Sequence, residues 1–94
     1  MKSVNFTWDG AKNECNFIAR GFGFDFAALI FSGPVLEAED GRRDYGERRF
    51  RAIGESQGFM LVVVYTDRGD DRRIISARLA NKKERQLWHL FAKA

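Results

Sequence analysis

The chain has 94 residues, of which 45% are hydrophobic and 31% are charged, and it contains nine Phe and two Trp. This length fits one domain, which buries roughly 60–70% of the surface of its unfolded chain, and the composition excludes a disordered chain. The lone cysteine excludes an internal disulfide, and neither a signal-peptide core nor an apolar run near the ~20 residues of a membrane helix is present. We therefore expect one cytoplasmic domain over residues 1–94, with no membrane partner.

Positive charge is concentrated in the second part of the chain. Residues 1–41 hold three basic and six acidic side chains, for a net charge of −3, whereas residues 42–94 hold thirteen and seven, for a net charge of +6. A cationic region of this kind attracts polyanions such as nucleic acid. From charge alone, a solvated basic face is an equal alternative.

The first predicted elements are a short strand and a helix. Val4–Trp8 alternates apolar and polar residues, which is typical of a strand, and Asp9 follows as a helix N-cap. Spacings of four and three residues predict that Ala11, Cys15 and Ile18 form the buried face of the helix. The polar residues between them are expected to lie largely on the other side.

A glycine-containing turn separates this helix from a second, shorter one. Gly21 and Gly23 favour the end of the first helix, and Asp25 is suited to cap a helix that continues through Phe31. The two helices are expected to form an αα-hairpin. A short peripheral strand is then predicted at Val35–Glu39.

The middle of the chain predicts a β-hairpin preceded by another strand. We predict a strand at Glu47–Gly54, followed by a polar turn at Glu55–Gly58 that reverses the chain. In Phe59–Arg78, the unbroken apolar run Leu61–Tyr65 is typical of a strand covered on both faces, and Asp67–Asp70 has turn-forming composition. A further turn is predicted at Glu39–Arg42.

The last predicted element is a helix with a strong start signal. Asn81 is a good N-cap and Glu84 stands three residues later, close to the capping-box pattern. Leu87, Trp88, Leu90 and Phe91 give this helix a broad apolar face. The predicted order is β-α-α-β-β-β-β-α, an α+β domain with a small antiparallel sheet, two N-terminal helices and one C-terminal helix.

An ordered set of motifs resembles the BrnT toxins of bacterial type II toxin–antitoxin systems, which are small RelE-like ribonucleases. The resemblance covers roughly residues 6–88 and rests on these residues: Phe6-Thr7-Trp8-Asp9, Lys12, Asn16, Phe24, Ala28, Gly46-Glu47-Arg48-Arg49-Phe50, Ile53-Gly54, Leu61-Val62-Val63-Val64, Thr66, Arg68, Arg73-Ile74-Ile75-Ser76-Ala77-Arg78, Ala80 and Glu84.

The resemblance implies metal-independent cleavage of messenger RNA, in which a ribose 2′-hydroxyl attacks the adjacent phosphate. Such a site must align the reacting groups and stabilise negative charge on the phosphate, a task that suits arginine. We expect Arg73 and Arg78 to clamp the phosphate. They are five residues apart, so a regular strand would place them on opposite faces and a bulge or a strand end near Ala77 is needed. Arg49 and Arg68 are the substitutes.

Carboxylates and other polar groups complete the expected site. Glu47 and Glu84 are the candidates for proton transfer, although arginines nearby would lower the pKa of either carboxyl and favour a role in orienting an arginine. Lys12 and Lys82 are candidate RNA contacts, with a solvated surface position as the alternative. Trp8 is a candidate for stacking on a base, with a core position at the strand end as the favoured alternative.

One departure from the family pattern keeps a second function open. The family usually has Lys-His-Gly after the first helix, where this chain has Ala19-Arg20-Gly21, and a guanidinium cannot titrate as a histidine does. The only histidine, His89, is expected to be packed or on the surface rather than a general base. The alternative is therefore a non-catalytic nucleic-acid- or protein-binding module of the same fold. No pattern for a metal or cofactor appears, so we expect neither.

The resemblance also implies a protein partner. A toxin that degrades RNA must be restrained, and the expected partner is a ribbon-helix-helix antitoxin. In that arrangement the complex binds operator DNA through the antitoxin, so this chain itself contacts RNA and the antitoxin.

Overall fold

The computed structural model describes residues 4–41 and 46–93. Within these residues the predicted order β-α-α-β-β-β-β-α is confirmed. The strands are β1 (Asn5–Trp8), β2 (Leu36–Glu39), β3 (Phe50–Ser56), β4 (Phe59–Arg68) and β5 (Asp71–Leu79); the helices are α1 (Gly10–Arg20), α2 (Phe24–Ala28), continued by a 3₁₀ turn (Leu29–Ser32), and α3 (Lys82–Ala92). The turn predicted at Glu39–Arg42 runs into 42–45, outside the described residues.

The strands form one mostly antiparallel sheet in the order β1-β5-β4-β3-β2. The α+β class is confirmed, but β1 pairs with β5 in parallel, whereas β2 to β5 are antiparallel neighbours. Alternation of apolar and polar residues identifies a strand without fixing the direction of its partner. β1 is therefore an edge strand, and its neighbour in the sheet is the last strand of the chain, β5.

The predicted central hairpin is β4 and β5. Residues 61–66 of β4 are all buried, as an apolar run covered on both faces requires. The hairpin turn is shorter than predicted because β4 continues through Arg68 and reverses at Gly69-Asp70. Likewise, Glu55 and Ser56 belong to β3, and the reversal is a two-residue turn at Gln57-Gly58, where both residues have positive φ angles of 47° and 88°.

A β-bulge in β5 changes which side chains share a face. Val64 pairs with Ser76 and Tyr65 pairs with Ile74, so Ile75 is an extra residue without a partner in β4. Beyond it, Thr66 pairs with Arg73 and Val62 pairs with Arg78. Because Val62, Val64 and Thr66 alternate onto one face of β4, their partners Arg78, Ser76 and Arg73 share that face.

The other face of the sheet packs against the N-terminal helices. Its core consists of buried aliphatic and aromatic side chains: Phe24, Ala27, Ile30, Ala52, Leu61, Val63, Tyr65, Ile74 and Ala77. The α1 axis makes an angle of 93° with the segment Phe24–Ser32, so the predicted αα-hairpin is a near-perpendicular pair. Among the described residues no single helix is long and apolar enough to span a membrane; only this bent pair passes that test by length and composition.

The predicted inner face of α1 is wrong. Cys15 is exposed and Ile18 is 77% exposed, whereas Asn16 is the buried residue of the helix. The Asn16 amide donates to Phe22 O at 2.9 Å, and Asn13 Oδ1 accepts from Phe24 N at 2.7 Å. The inner side of α1 therefore carries polar side chains that hydrogen-bond to the backbone of the turn before α2. The apolar residues spaced three and four apart lie on the exposed side of the helix.

The predicted start of α3 is confirmed. Asn81 Oδ1 accepts from Glu84 N and Glu84 Oε1 accepts from Asn81 N, both at 2.8 Å, which makes a complete capping box. No residue of α3 is buried, and Trp88 fixes the helix by donating its indole N–H to Pro34 O at 3.1 Å. Most of the apolar face of α3 is therefore open.

Candidate active site

Four arginines lie on the sheet face opposite α1 and α2, which we call the arginine face: Arg49, Arg51, Arg73 and Arg78. The bulge puts the last two on the same face, opposite Thr66 and Val62 of β4. Phe50 packs on the core side, stacked on Tyr65 with ring centroids 5.6 Å apart. Strand alternation therefore directs its neighbours Arg49 and Arg51 to the opposite face.

Arg73 is a half-buried cation on this face. It lies between Thr7 of β1 and Thr66 of β4 in the sheet register. A hydrogen bond from the backbone N–H of Lys12 lowers the pKa of the Asp9 carboxyl, and the charges of Lys12 and Arg73 lower it further. Arg73 is thus near a carboxylate but has no ion pair with any described residue, so its donors are available.

Arg78 is held by Glu84. Its two terminal nitrogens donate to the two carboxylate oxygens at 2.8 Å each, a bidentate pair. These hydrogen bonds lower the pKa of the Glu84 carboxyl to about 2; partial burial opposes the shift, and the Asn81 backbone N–H and the charges of Arg78 and Arg51 add to it. Glu84 is therefore ionised at neutral pH and orients Arg78 rather than serving as a base.

Glu47 forms a second carboxylate–arginine cluster at the far end of the face. Its carboxylate is 3.1 Å from Arg68 Nη2 and 3.7 Å from Arg49 Nη2. Glu47 and Arg49 precede β3 instead of lying within it, and Arg68 is the last residue of β4 instead of a turn residue. Thr66 Oγ1 donates to Arg48 O at 2.7 Å and fixes this entry to β3 against β4.

The sequence interpretation missed Arg51. It is a half-buried residue in the middle of β3, where its register partners are Val64 and Ala38. The signal was present in the sequence, because Arg49 and Arg51 are two residues apart and a strand places such residues on one face. The family resemblance rests on residues on either side of it, ending at Phe50 and resuming at Ile53, and does not include Arg51.

The candidate RNA contacts are dispersed. Lys12 is exposed and lines a groove along α1 with Ile75 and Ser76. Its backbone N–H donates to the Asp9 carboxylate at 3.0 Å. Lys82 is exposed in the first turn of α3. Trp8 packs on the core side, edge-on to Phe24 with ring centroids 6.4 Å apart. That position agrees with its alternative interpretation as a core residue at a strand end.

Arg20 and His89 are not among the residues that form the arginine face. Arg20 Nη1 donates to Ala77 O at 2.8 Å and to Asn16 Oδ1 at 3.0 Å, so it ties the end of α1 to β5. His89 is exposed on α3, with its ring edge-on to Trp88. Among the described residues no group of three or more His, Cys, Asp or Glu side chains is placed to hold a metal ion.

A surface of this kind is chemically suited to phosphate. Arginine presents paired donors that match phosphate oxygens, and partial burial strengthens the attraction relative to a fully solvated charge. Glu84 forms an ion pair with Arg78, and Glu47 forms ion pairs with Arg49 and the adjacent Arg68. Preorganised positive charge is what stabilises a phosphate on which negative charge is increasing.

One protein-family model identifies the family of this chain. The family model described as "Ribonuclease toxin, BrnT, of type II toxin-antitoxin system" matches residues 8–84, which is most of the chain. A comparison with curated proteins finds no match. The chain therefore belongs to the BrnT family, the ribonuclease toxins of type II toxin–antitoxin systems, and this membership implies an RNA target and an antitoxin partner.

Proposed function

We propose that this toxin is a metal-independent endoribonuclease that cleaves messenger RNA on its arginine face and so arrests growth. In the proposed reaction the ribose 2′-hydroxyl attacks its own adjacent phosphate and the 5′-oxygen of the next nucleotide leaves. The observation that carries the proposal is the bulge at Ile75, which puts Arg73 and Arg78 on one face. The substrate supplies the nucleophile, so alignment and charge stabilisation are the main tasks of the protein.

The contacts suggest a division of roles. Arg73, which has no ion pair with a described residue, binds the scissile phosphate directly. Arg78 contributes positive charge from a position fixed by Glu84. Arg49 and Arg68 form the far end of the clamp around Glu47, and Lys12 and Lys82 contact flanking phosphates. Glu47 and Glu84 orient arginines, since each carboxylate already accepts charged donors.

The remaining parts of the proposal concern the partner and the setting. We propose that residues 1–94 form one RelE-like cytoplasmic domain and that a ribbon-helix-helix antitoxin neutralises it. Operator DNA is then bound by the antitoxin within the complex. The positive arginine face suits both RNA and an acidic segment of the antitoxin, because the same electrostatic field attracts either one.

The experiment that tests the reaction uses purified, antitoxin-free protein and total RNA in EDTA. The proposal predicts new RNA fragments with 5′-hydroxyl and 2′,3′-cyclic phosphate ends, and no cleavage of RNA that carries 2′-O-methyl groups. Translating ribosomes are added in a parallel reaction to detect ribosome-dependent cleavage. RNA that is bound but intact in both reactions would instead identify the non-catalytic binding module.

A further inference from the structure

Two of the nine arginines in residues 4–41 and 46–93 differ from the rest. Seven form a hydrogen bond or an ion pair with a carboxylate or a backbone carbonyl of the protein: Arg20, Arg48, Arg49, Arg68, Arg72, Arg78 and Arg85. Arg51 and Arg73 have no hydrogen bond or ion pair with a described residue, yet both are half-buried. Arg73 is already assigned to the scissile phosphate, whereas nothing in the family motifs assigns Arg51.

The position of Arg51 relates it to the phosphate clamp. Arg49 and Arg51 are two residues apart on one face, which separates their Cα atoms by about 6.6 Å in an extended strand. The carboxylate near Arg51 is Glu84, whose oxygens already accept Arg78 and the Asn81 backbone N–H. A half-buried guanidinium with five unused donors is well suited to an anionic ligand.

A groove adjoins Arg51 between α3 and the strands β2 to β4. Its volume is about 400 Å³, which is within the usual range for small-ligand sites. Leu36, Ile53, Val62 and Leu87 supply its apolar lining, and Arg51 and Lys83 supply positive charge. The Glu84 carboxylate also lines the groove, but its charge is paired with Arg78. An apolar floor beside a cation matches a nucleotide, which has an uncharged flat base and a charged phosphate.

We infer that Arg51 and this groove form a nucleotide subsite next to the scissile phosphate. The Arg51 guanidinium binds the neighbouring backbone phosphate, and the attached base lies against the apolar lining. This inference rests on the proposed function, because it extends the same RNA path. RNA is favoured over an antitoxin segment because Arg51 shares its face with Arg73, and because the groove volume of about 400 Å³ is in the range of sites for one small ligand.

The first test measures RNA binding without cleavage. A fluorescent 2′-O-methyl RNA oligonucleotide is titrated with wild-type protein and with Arg51→Gln, Arg51→Lys and Arg85→Gln proteins at several salt concentrations. Arg51→Gln is expected to bind about tenfold more weakly and to reduce the magnitude of the salt slope by about 0.7, the value for one lost single-strand phosphate contact. Arg51→Lys should retain the slope. Arg85→Gln, which removes the same charge from exposed α3, should bind like the wild type.

The second test addresses the base. Leu87 lines the groove, whereas Leu90 on the same helix is 71% exposed and does not. Leu87→Ser is expected to weaken binding of the normal oligonucleotide several-fold and to leave binding of an abasic one unchanged. Leu90→Ser should change neither, and thermal melting establishes that the variants are folded.

The outcomes separate this subsite from the proposed function. If wild-type protein binds and cleaves RNA while Arg51→Gln binds with unchanged affinity and salt slope, the subsite is overturned and the ribonuclease stands. A folded Arg51→Gln protein that loses antitoxin binding and keeps RNA binding overturns it as well, and assigns the groove to the antitoxin. Wild-type protein that neither binds nor cleaves RNA overturns the proposed function and the subsite with it.

Discussion

Glu84→Gln separates two roles of one side chain at the start of α3. Glu84 closes the capping box with Asn81 and holds Arg78 through two hydrogen bonds of 2.8 Å. Glutamine also serves at the third position of a capping box, so the substitution keeps the cap and removes the ion pair. The expected loss of stability therefore reports on the Arg78–Glu84 interaction.

The lowered pKa of Glu84 sets the size of the expected loss of stability. A fall from 4.5 to about 2 corresponds to at most roughly 3 kcal/mol at 1.36 kcal/mol per unit. Arg78 is 41% exposed, whereas Glu84 is 16% exposed, so solvent screening reduces the expected contribution to about 1–2 kcal/mol. For a domain of this size that corresponds to a decrease in melting temperature of roughly 5–15 °C at neutral pH.

The pH dependence gives the sharper assay. Because the pKa of Glu84 is depressed in the folded state, its contribution is complete above about pH 4.5 and is lost as the pH falls through about 2. Denaturant unfolding of wild-type and Glu84→Gln proteins should therefore give free energies that differ at pH 6 and converge toward pH 2. Equal stability at pH 6, or a difference that stays constant down to pH 2, would refute this reasoning.

Three further predictions test the packing. Gly54→Ala should lower the free energy of unfolding by about 1–3 kcal/mol, because its new Cβ would lie 2.9 Å from Ile30 Cβ; Gly33→Ala, which meets nothing within 4 Å, should not. Asn16→Ala should lower the free energy of unfolding, measured by chemical denaturation, by about 1–3 kcal/mol because it leaves the Phe22 carbonyl without its hydrogen bond. Unchanged stability would contradict the polar inner face of α1. Cys15 should react fully with a thiol reagent in the native protein, whereas protection until denaturation would contradict its exposure.

Much of the fold could be predicted where one local pattern dominates. The apolar run Leu61–Tyr65 predicted a buried strand, and Asn81 with Glu84 predicted the start of α3, because each pattern depends on neighbouring residues alone. The inner face of α1 could not be predicted this way. The spacing of Ala11, Cys15 and Ile18 is amphipathic, but Asn13 and Asn16 face inward, because they hydrogen-bond to the backbone of the next turn.

The candidate site was predicted in part for the same reason. Arginines on strands were recognisable, and the need for a bulge between Arg73 and Arg78 followed from strand alternation. The exact extra residue, Ile75, depends on the register with β4, which is a long-range property. Whether an arginine is paired with a carboxylate also depends on long-range contacts. The difference between Arg78, which is paired, and Arg51 could therefore be seen only in the structure.

The most direct test of the central claim is the single-turnover rate of RNA cleavage in EDTA by wild-type, Arg73→Gln and Arg85→Gln proteins. Loss of Arg73 should slow cleavage about 10²-fold or more, as removal of a preorganised donor to a charged transition state does. Loss of Arg85, whose charge lies on α3, should leave the rate nearly unchanged. A folded Arg73→Gln protein that cleaves RNA at the wild-type rate would contradict the arginine face as the active site.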